Sequence, residues 1–169
     1  MTIDLEEYRQ QSHQSWEDMS SGWENRREWI MRVTGPVNDW VADRLAPEPG
    51  QTILELACGT GDLGFMIAEL VGEQGRVIST DFAEQMVDVA KRNGEGRGLE
   101  NVEHRVMDAE RMDLEDDGVD GVACRFGYML MADPSAALRE TRRVLRDGGA
   151  CRSPSGRRRT ATPGPRSRP

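Results

Sequence analysis

The sequence predicts an α/β fold, helices packed on a mostly parallel sheet, and three observations carry that prediction. Apolar runs of strand length alternate with amphipathic runs of helix length from Thr52 to about residue 150. The first strand, Thr52-Ile53-Leu54-Glu55-Leu56, runs into a glycine-bearing turn, Ala57-Cys58-Gly59-Thr60-Gly61, and then into a helix, which is how such folds present backbone N–H groups to a nucleotide-like ligand. The second strand, Arg76-Val77-Ile78-Ser79-Thr80, closes on Asp81, twenty residues after Gly61. A nucleotide-binding unit places there the acid that accepts both ribose hydroxyls.

Taken in order, the first fifty residues read as amphipathic helix. Trp16, Met19 and Trp23 share a face, and Trp29, Val33, Val37, Trp40, Val41 and Leu45 continue a similar pattern past a break at Gly35-Pro36, with Pro36 starting a second helix. All four tryptophans lie here; they either pack the helices onto the sheet or line a ligand pocket, and Trp16 and Trp23 are the candidates for the second role. His13 in the same region is a candidate base or an ordinary exposed histidine. Pro47-Glu48-Pro49-Gly50 ends the second helix and leads to the first strand.

The helix after the turn spans about Asp62 to Val71, with Phe65, Met66 and Leu70, extended by Leu63 and Ile67, on a broad apolar face. Asp81 also suits the N-terminus of the next helix, Ala83 to Arg92, a role compatible with holding ribose. Phe82 and Met86 then fall beside the base or in the core. Asn93 to Gly98 reads as a flexible loop, Val102 to Val106 as a third strand, and Glu110 to Asp117 as a solvated acidic loop. A fourth strand, Gly121-Val122-Ala123-Cys124, ends at Arg125-Phe126-Gly127-Tyr128, at a crevice where ligands bind. Asp133-Pro134 opens a helix through Leu138, Thr141, Val144 and Leu145 that closes at Asp147-Gly148-Gly149.

Composition narrows the partners. The 169 residues suit one domain, and no apolar run approaches the roughly 18 residues of a membrane-spanning helix. The acidic start, with Asp4, Glu6 and Glu7, is unlike a signal peptide, so a cytoplasmic protein is expected. Cys58, Cys124 and Cys151 are odd in number and lack a CxxC pair, which predicts buried free thiols and no metal site. The first 150 residues hold 16 basic against 30 acidic side chains, a net charge of −14 that repels a nucleic-acid backbone and favours a small, neutral or cationic substrate. A dinucleotide fingerprint aligned on positions 57, 59 and 62 finds Ala57, Gly59 and Asp62, which disfavours a nicotinamide cofactor. Glu55 at the strand end predicts a carboxylate near the crevice, and a ligand carrying an ammonium group.

Leu54-Glu55-Leu56-Ala57-Cys58-Gly59-Thr60-Gly61 resembles motif I of the class I S-adenosylmethionine-dependent methyltransferases, and residues 37 to 150 keep that family's order of landmarks. The chain is most similar to the ubiquinone/menaquinone-biosynthesis-like group of small-molecule methyltransferases. The resemblance implies a Rossmann-like three-layer sandwich and S-adenosylmethionine as cofactor. It implies a donor site built from Glu55, Ala57, Gly59, Thr60, Gly61, Asp81, Phe82, Met86, Asp108, Ala109 and Arg125. Asp108 would take the adenine amino group and the Ala109 N–H a ring nitrogen, while Arg125 and Tyr128 would flank the methionine end and the acceptor. In the resembled family an N-terminal helical segment covers the donor pocket. No catalytic base is assigned. A donor-binding remnant without catalysis and a nicotinamide-dependent oxidoreductase are the alternatives.

This predicts an N-terminal helical cap over 1–46, a methyltransferase domain over 47–150 and a disordered Arg/Pro-rich tail over 151–169. The tail has five arginines after Arg152, four prolines and no acid, where the resembled fold begins a fifth strand. The expected sheet is therefore incomplete in its C-terminal half, with the fourth strand as a bare edge. The abrupt change in composition reads as out-of-frame translation or as a basic arm for an acidic partner.

Overall fold

The computed structural model describes residues 4–153 and contains five parallel strands in one sheet, ordered β3-β2-β1-β4-β5. In chain order the elements are α1 (Leu5–Asn25), α2 (Arg27–Leu45), β1 (Thr52–Leu56), α3 (Asp62–Val71), β2 (Arg76–Asp81), α4 (Glu84–Gly94), β3 (Val102–Val106), β4 (Val119–Cys124), a short 3-10 turn (Tyr128–Leu130), α5 (Pro134–Val144) and β5 (Leu145–Arg152). β1 is central. Leu54 pairs with Ile78 of β2 on one side and Val122 of β4 on the other, which demands a strand that is apolar on both faces. The chain steps outward from β1 to β2 and β3, then returns to β4 beside β1, so the strand order reverses there and opens a crevice at the carboxyl ends of β1 and β4.

Two apolar clusters sandwich the sheet. Ile53, Val77 and Ala123 pack with Val41 and Leu45 of α2 and Leu63, Ile67, Ala68 and Val71 of α3. On the opposite face Leu54, Leu56, Ile78 and Val122 pack with Met107, Met112, Tyr128 and, from α5, Ala137 and Val144. Asp133 caps α5 by accepting from Ser135 and Ala136 N–H, and Pro134 opens that helix, as the sequence predicts.

Three expectations are corrected. First, β4 is not an edge: residues 145–152 form β5, paired with it from Val119↔Leu145 to Ala123↔Arg152. A ladder needs backbone groups, not apolar side chains, and this stretch supplies them through an irregularity between Val119 and Gly121. Gly148-Gly149 is therefore no helix stop. A Cβ on Gly149 would stand 2.8 Å from the Asp120 carbonyl oxygen, so glycine permits the close approach. Arg152 stays exposed and donates its Nε–H to the Arg44 carbonyl at 2.8 Å, a favourable place for a cation at the end of α2. The remainder of the expected tail, 154–169, lies outside the described residues.

Second, α2 runs unbroken through Gly35-Pro36, and the helix boundary falls instead at Arg26. Burial of Ile30, Val41, Ala42 and Leu45 along one face on both sides of Pro36 outweighs the backbone hydrogen bond that proline forfeits. Third, the loop after α4 is tied down: the Arg97 guanidinium lies over the Phe65 ring at 4.6 Å and Asn93 donates to the Thr60 carbonyl. The acidic stretch after β3 is exposed at Arg111, Asp113 and Glu115 to Asp117, as expected, but buries Glu110 and Met112.

Candidate functional site

The crevice at the strand ends, roofed by α1, is a cavity into which eight of the predicted residues face: Ala57, Gly59, Asp81, Phe82, Met86, Asp108, Ala109 and Arg125. Trp16 and Trp23 line it from α1. Glu55, Thr60 and Gly61 do not.

Asp81 is fixed by the end of β2. Its Oδ2 accepts the Gly59 N–H at 3.0 Å and its Oδ1 the Ala83 N–H at 3.2 Å. Burial pushes its pKa above the usual carboxylate value, opposed by the hydrogen bonds from Gly59, Ala83 and Phe82. A carboxylate has about four lone-pair sites, and the Gly59 and Ala83 N–H groups take two of them, so acceptor capacity remains for two hydroxyl donors.

Asp108 follows β3 and is held by a bond from the Glu110 N–H to its Oδ1, 2.8 Å. Arg9 of α1 reaches over this turn, with its Nη2 2.5 Å from Glu110 Oε2 and its Nε 3.9 Å from Asp108 Oδ2. The Arg9 Nε is buried without a hydrogen-bond partner beside the cavity. Glu110 in turn accepts from the Asp133 N–H at 3.0 Å, linking this wall to α5. At the far wall Arg125 donates to Thr34 Oγ1 at 2.6 Å.

Glu55 departs most from expectation. Strand alternation puts it on the same side of β1 as Ile53, under α3, where it is 2% exposed. Its Oε1 accepts the Gly64 N–H at 3.0 Å and its Oε2 the Ser79 hydroxyl at 2.6 Å. Desolvation pushes its pKa up to about 7, with Ser79, Arg125 and the Gly64 N–H pulling the other way. It therefore offers nothing to a ligand ammonium directly. A Cβ on Gly64 would collide with the Glu55 carboxylate, so Gly64 is the glycine that lets helix and strand approach. The fingerprint spacing is Gly59-x-Gly61-x-x-Gly64, not the alignment on 57, 59 and 62.

Thr60 and Asp62 also turn away from the cavity. Thr60 donates its hydroxyl to Asp62 Oδ2 at 2.8 Å, and Asp62 is paired with Arg27 at the start of α2. Neither Glu55 nor Asp62 faces the cavity, so neither argues against a nicotinamide cofactor. Tyr128 is buried in the core with its hydroxyl 2.8 Å from Thr141 Oγ1, which removes it from the acceptor side. His13 pairs with Glu17 and packs edge-on to Phe82, outside the lining. The three cysteines are free, Cys58 and Cys124 buried and Cys151 half-buried.

Arg9, Ser12, Thr34, Glu110, Phe126, Leu130 and Met131 line the cavity without having been singled out. The spacing Arg9, Ser12, Trp16, Trp23 is a helical face that the sequence displays, whereas Met19, grouped with the tryptophans above, is 43% exposed. Among the described residues the lining holds no histidine, cysteine or lysine. The arrangement suits binding and alignment: the carboxylates of Asp81, Asp108 and Glu110, backbone N–H groups in the turn, and an aromatic roof.

Residues 32–153 match the model of the ubiE/COQ5 methyltransferase family. A demethylmenaquinone methyltransferase from Bacillus cereus (strain ATCC 10987 / NRS 248) is 38% identical over 102 residues, covering 60% of this chain and 43% of the relative. The match thus spans less than half the length of that relative. Among solved structures, a SAM dependent methyltransferase from Aquifex aeolicus is 28% identical, covers 64% of this chain and 58% of its own, and superposes with a TM-score of 0.60. An arsenic(III) S-adenosylmethionine methyltransferase from Chlamydomonas reinhardtii is 31% identical, with 60% and 37% coverage and a TM-score of 0.56. No helix among the described residues is long and apolar enough to cross a membrane.

Proposed function

The chain belongs to the ubiE/COQ5 methyltransferase family, and on that premise we propose that it binds S-adenosylmethionine under α1 and transfers the methyl group to a small, planar, apolar acceptor. The observation that carries this reading is the wall Gly59–Asp81–Asp108, in which a glycine turn, a strand-end carboxylate and a second carboxylate follow one another along one cavity. The residues fit the cofactor. Gly59 faces the cavity and a Cβ on it would meet no atom within 4 Å beyond its two chain neighbours, so a ligand can approach the backbone closely. Asp81 takes the ribose hydroxyls. Asp108 accepts from the adenine amino group, the Ala109 N–H donates to a ring nitrogen, and Phe82 and Met86 flank the base.

When bound, this cofactor supplies a methyl group already activated on a sulfonium, so the protein's work is to orient the acceptor and exclude water. Trp16 and Trp23 roof the cavity, and Phe126, Leu130 and Met131 give it apolar walls. Arg125 is the cation at the acceptor end, where it can hold an anionic oxygen. Methylation of the acceptor releases one proton, and no residue is assigned as the base that takes it. The relatives' name gives demethylmenaquinone as their acceptor, and a quinol of that type is our proposal here. The net charge of −14 over the first 150 residues argues against a nucleic-acid acceptor, and the free thiols suit a reducing, cytoplasmic setting. Incubation with S-adenosylmethionine and a short-chain naphthoquinol tests the reading. It predicts S-adenosylhomocysteine and methylated product; donor binding without product would restrict the chain to a donor-binding module.

A further inference from the structure

We propose that Glu17 is a positioning residue that latches α1 over the cavity by capping α4 from outside that helix. The N-terminus of α4 has no side-chain cap of its own, because its capping position is Ala83. A helix leaves its first amides without intrahelical partners, and they seek an acceptor. Glu17 supplies it from 67 residues away: Oε1 accepts the Glu84 N–H at 2.7 Å and Oε2 the Gln85 N–H at 2.9 Å. Its negative charge is also well placed at the positive end of the helix.

The contact sits beside the proposed ribose and base positions. His13 Nε2 is 3.4 Å from Glu17 Oε1, and the His13 ring lies edge-on to Phe82 at 5.3 Å, directly after Asp81 in the cavity wall. Two further pairs hold the ends of α1: Arg9 to Glu110, and Glu24 to Arg92 through bonds of 3.0 and 2.8 Å. Side-chain ion pairs near the surface give little net stability. The Glu17 contact differs because lifting α1 strips a helix terminus of its acceptor, so opening the roof and fraying α4 become one event. Roof and ligand-bearing turn thereby move together, and the rate at which the donor leaves is set in part by Glu17. This last step rests on the reading of the cavity as the donor site.

The test compares Glu17→Ala with the double variant Glu17→Ala/Ala83→Ser, in which serine gives α4 a cap of its own. Glu17→Ala is expected to lower the hydrogen-exchange protection of the Glu84 and Gln85 amides, and to speed S-adenosylhomocysteine dissociation about five- to tenfold in stopped-flow tryptophan fluorescence. The added serine, whose hydroxyl accepts from the second or third amide of the helix, should restore protection at Gln85 and the melting temperature while dissociation stays fast. Recovery of slow dissociation together with α4 protection would show that Glu17 only stabilises α4, and overturns the latch; so does an unchanged rate in Glu17→Ala. Failure of the parent chain to bind S-adenosylhomocysteine would contradict the functional reading instead. The latch is then read from α1 amide exchange in the ligand-free double variant, where faster exchange than in the parent supports it and unchanged exchange overturns it.

Discussion

Gly59 donates its backbone N–H to the Asp81 carboxylate at 3.0 Å, joining the turn after β1 to the end of β2. The two most informative positions in the sequence are thus one hydrogen-bonded unit. The turn is held in shape by the same side chain proposed to grip ribose, so turn geometry and ligand affinity are coupled through Asp81.

Gly59 has φ +55°, a left-handed conformation that costs an L-residue roughly 1–2 kcal/mol. Gly59→Val should therefore lower stability by about that amount and weaken S-adenosylmethionine binding more than tenfold, since the new side chain enters cavity space. Calorimetric titration of the variant, with its fold checked by circular dichroism, measures both. Parental affinity in a folded variant would show that the turn does not approach the ligand.

Glu55 gives a pH dependence of definite sign. Its pKa is about 7 in the fold against 4.5 in the reference state, so the native chain binds more protons than the unfolded chain between those values. Stability from the neutral carboxyl is complete below about pH 4.5 and is lost as pH rises through 7, a change on the order of 3 kcal/mol. Glu55→Gln can keep the bond from the Gly64 N–H and donate to Ser79. It should melt at a higher temperature than the parent above pH 7, with the difference shrinking toward pH 5. Parallel melting curves across that range would mean that Glu55 titrates normally.

Asp62 is 8% exposed and is held by Arg27 and the Thr60 hydroxyl. Arg27→Met should destabilise the chain by on the order of 2 kcal/mol by leaving a buried carboxylate with only the more distant Arg97, 4.0 Å away, as its cation. Asp62→Asn in the same chain should return much of that loss. A urea-denaturation double-mutant cycle measures the coupling, and additive losses would show that the pair contributes nothing beyond its separate parts.

Much of the fold is legible in the sequence where local pattern and tertiary demand agree. β1, β2 and α3 follow from apolar runs bounded by glycine, and α5 from Asp133-Pro134. β5 was hidden because its pairing is made by backbone groups, to which glycine and alanine contribute as well as valine does. The continuity of α2 was hidden because proline is a local signal and the buried face crossing it is a tertiary one. In the site, Asp81 and Asp108 are readable from their places at strand ends. The direction of Glu55 was readable too, since period-two alternation sets it beside Ile53, whereas the partnership of Arg9 with Asp108 and Glu110 joins positions about 100 residues apart and leaves no local trace.

The central claim is that the cavity under α1 is a donor site organised by Asp81. Isothermal titration of S-adenosylhomocysteine into the parent chain and into Asp81→Ala tests it most directly, with adenosine and 2′,3′-dideoxyadenosine as probes that differ only in the two ribose hydroxyls. The parent is expected to bind S-adenosylhomocysteine and to prefer adenosine, which carries both ribose hydroxyls. Loss of the carboxylate should weaken binding by on the order of 2 kcal/mol or more and erase that preference, because two charge-assisted hydrogen bonds disappear. Equal affinity in parent and variant, or a parent chain indifferent to the ribose hydroxyls, would contradict it.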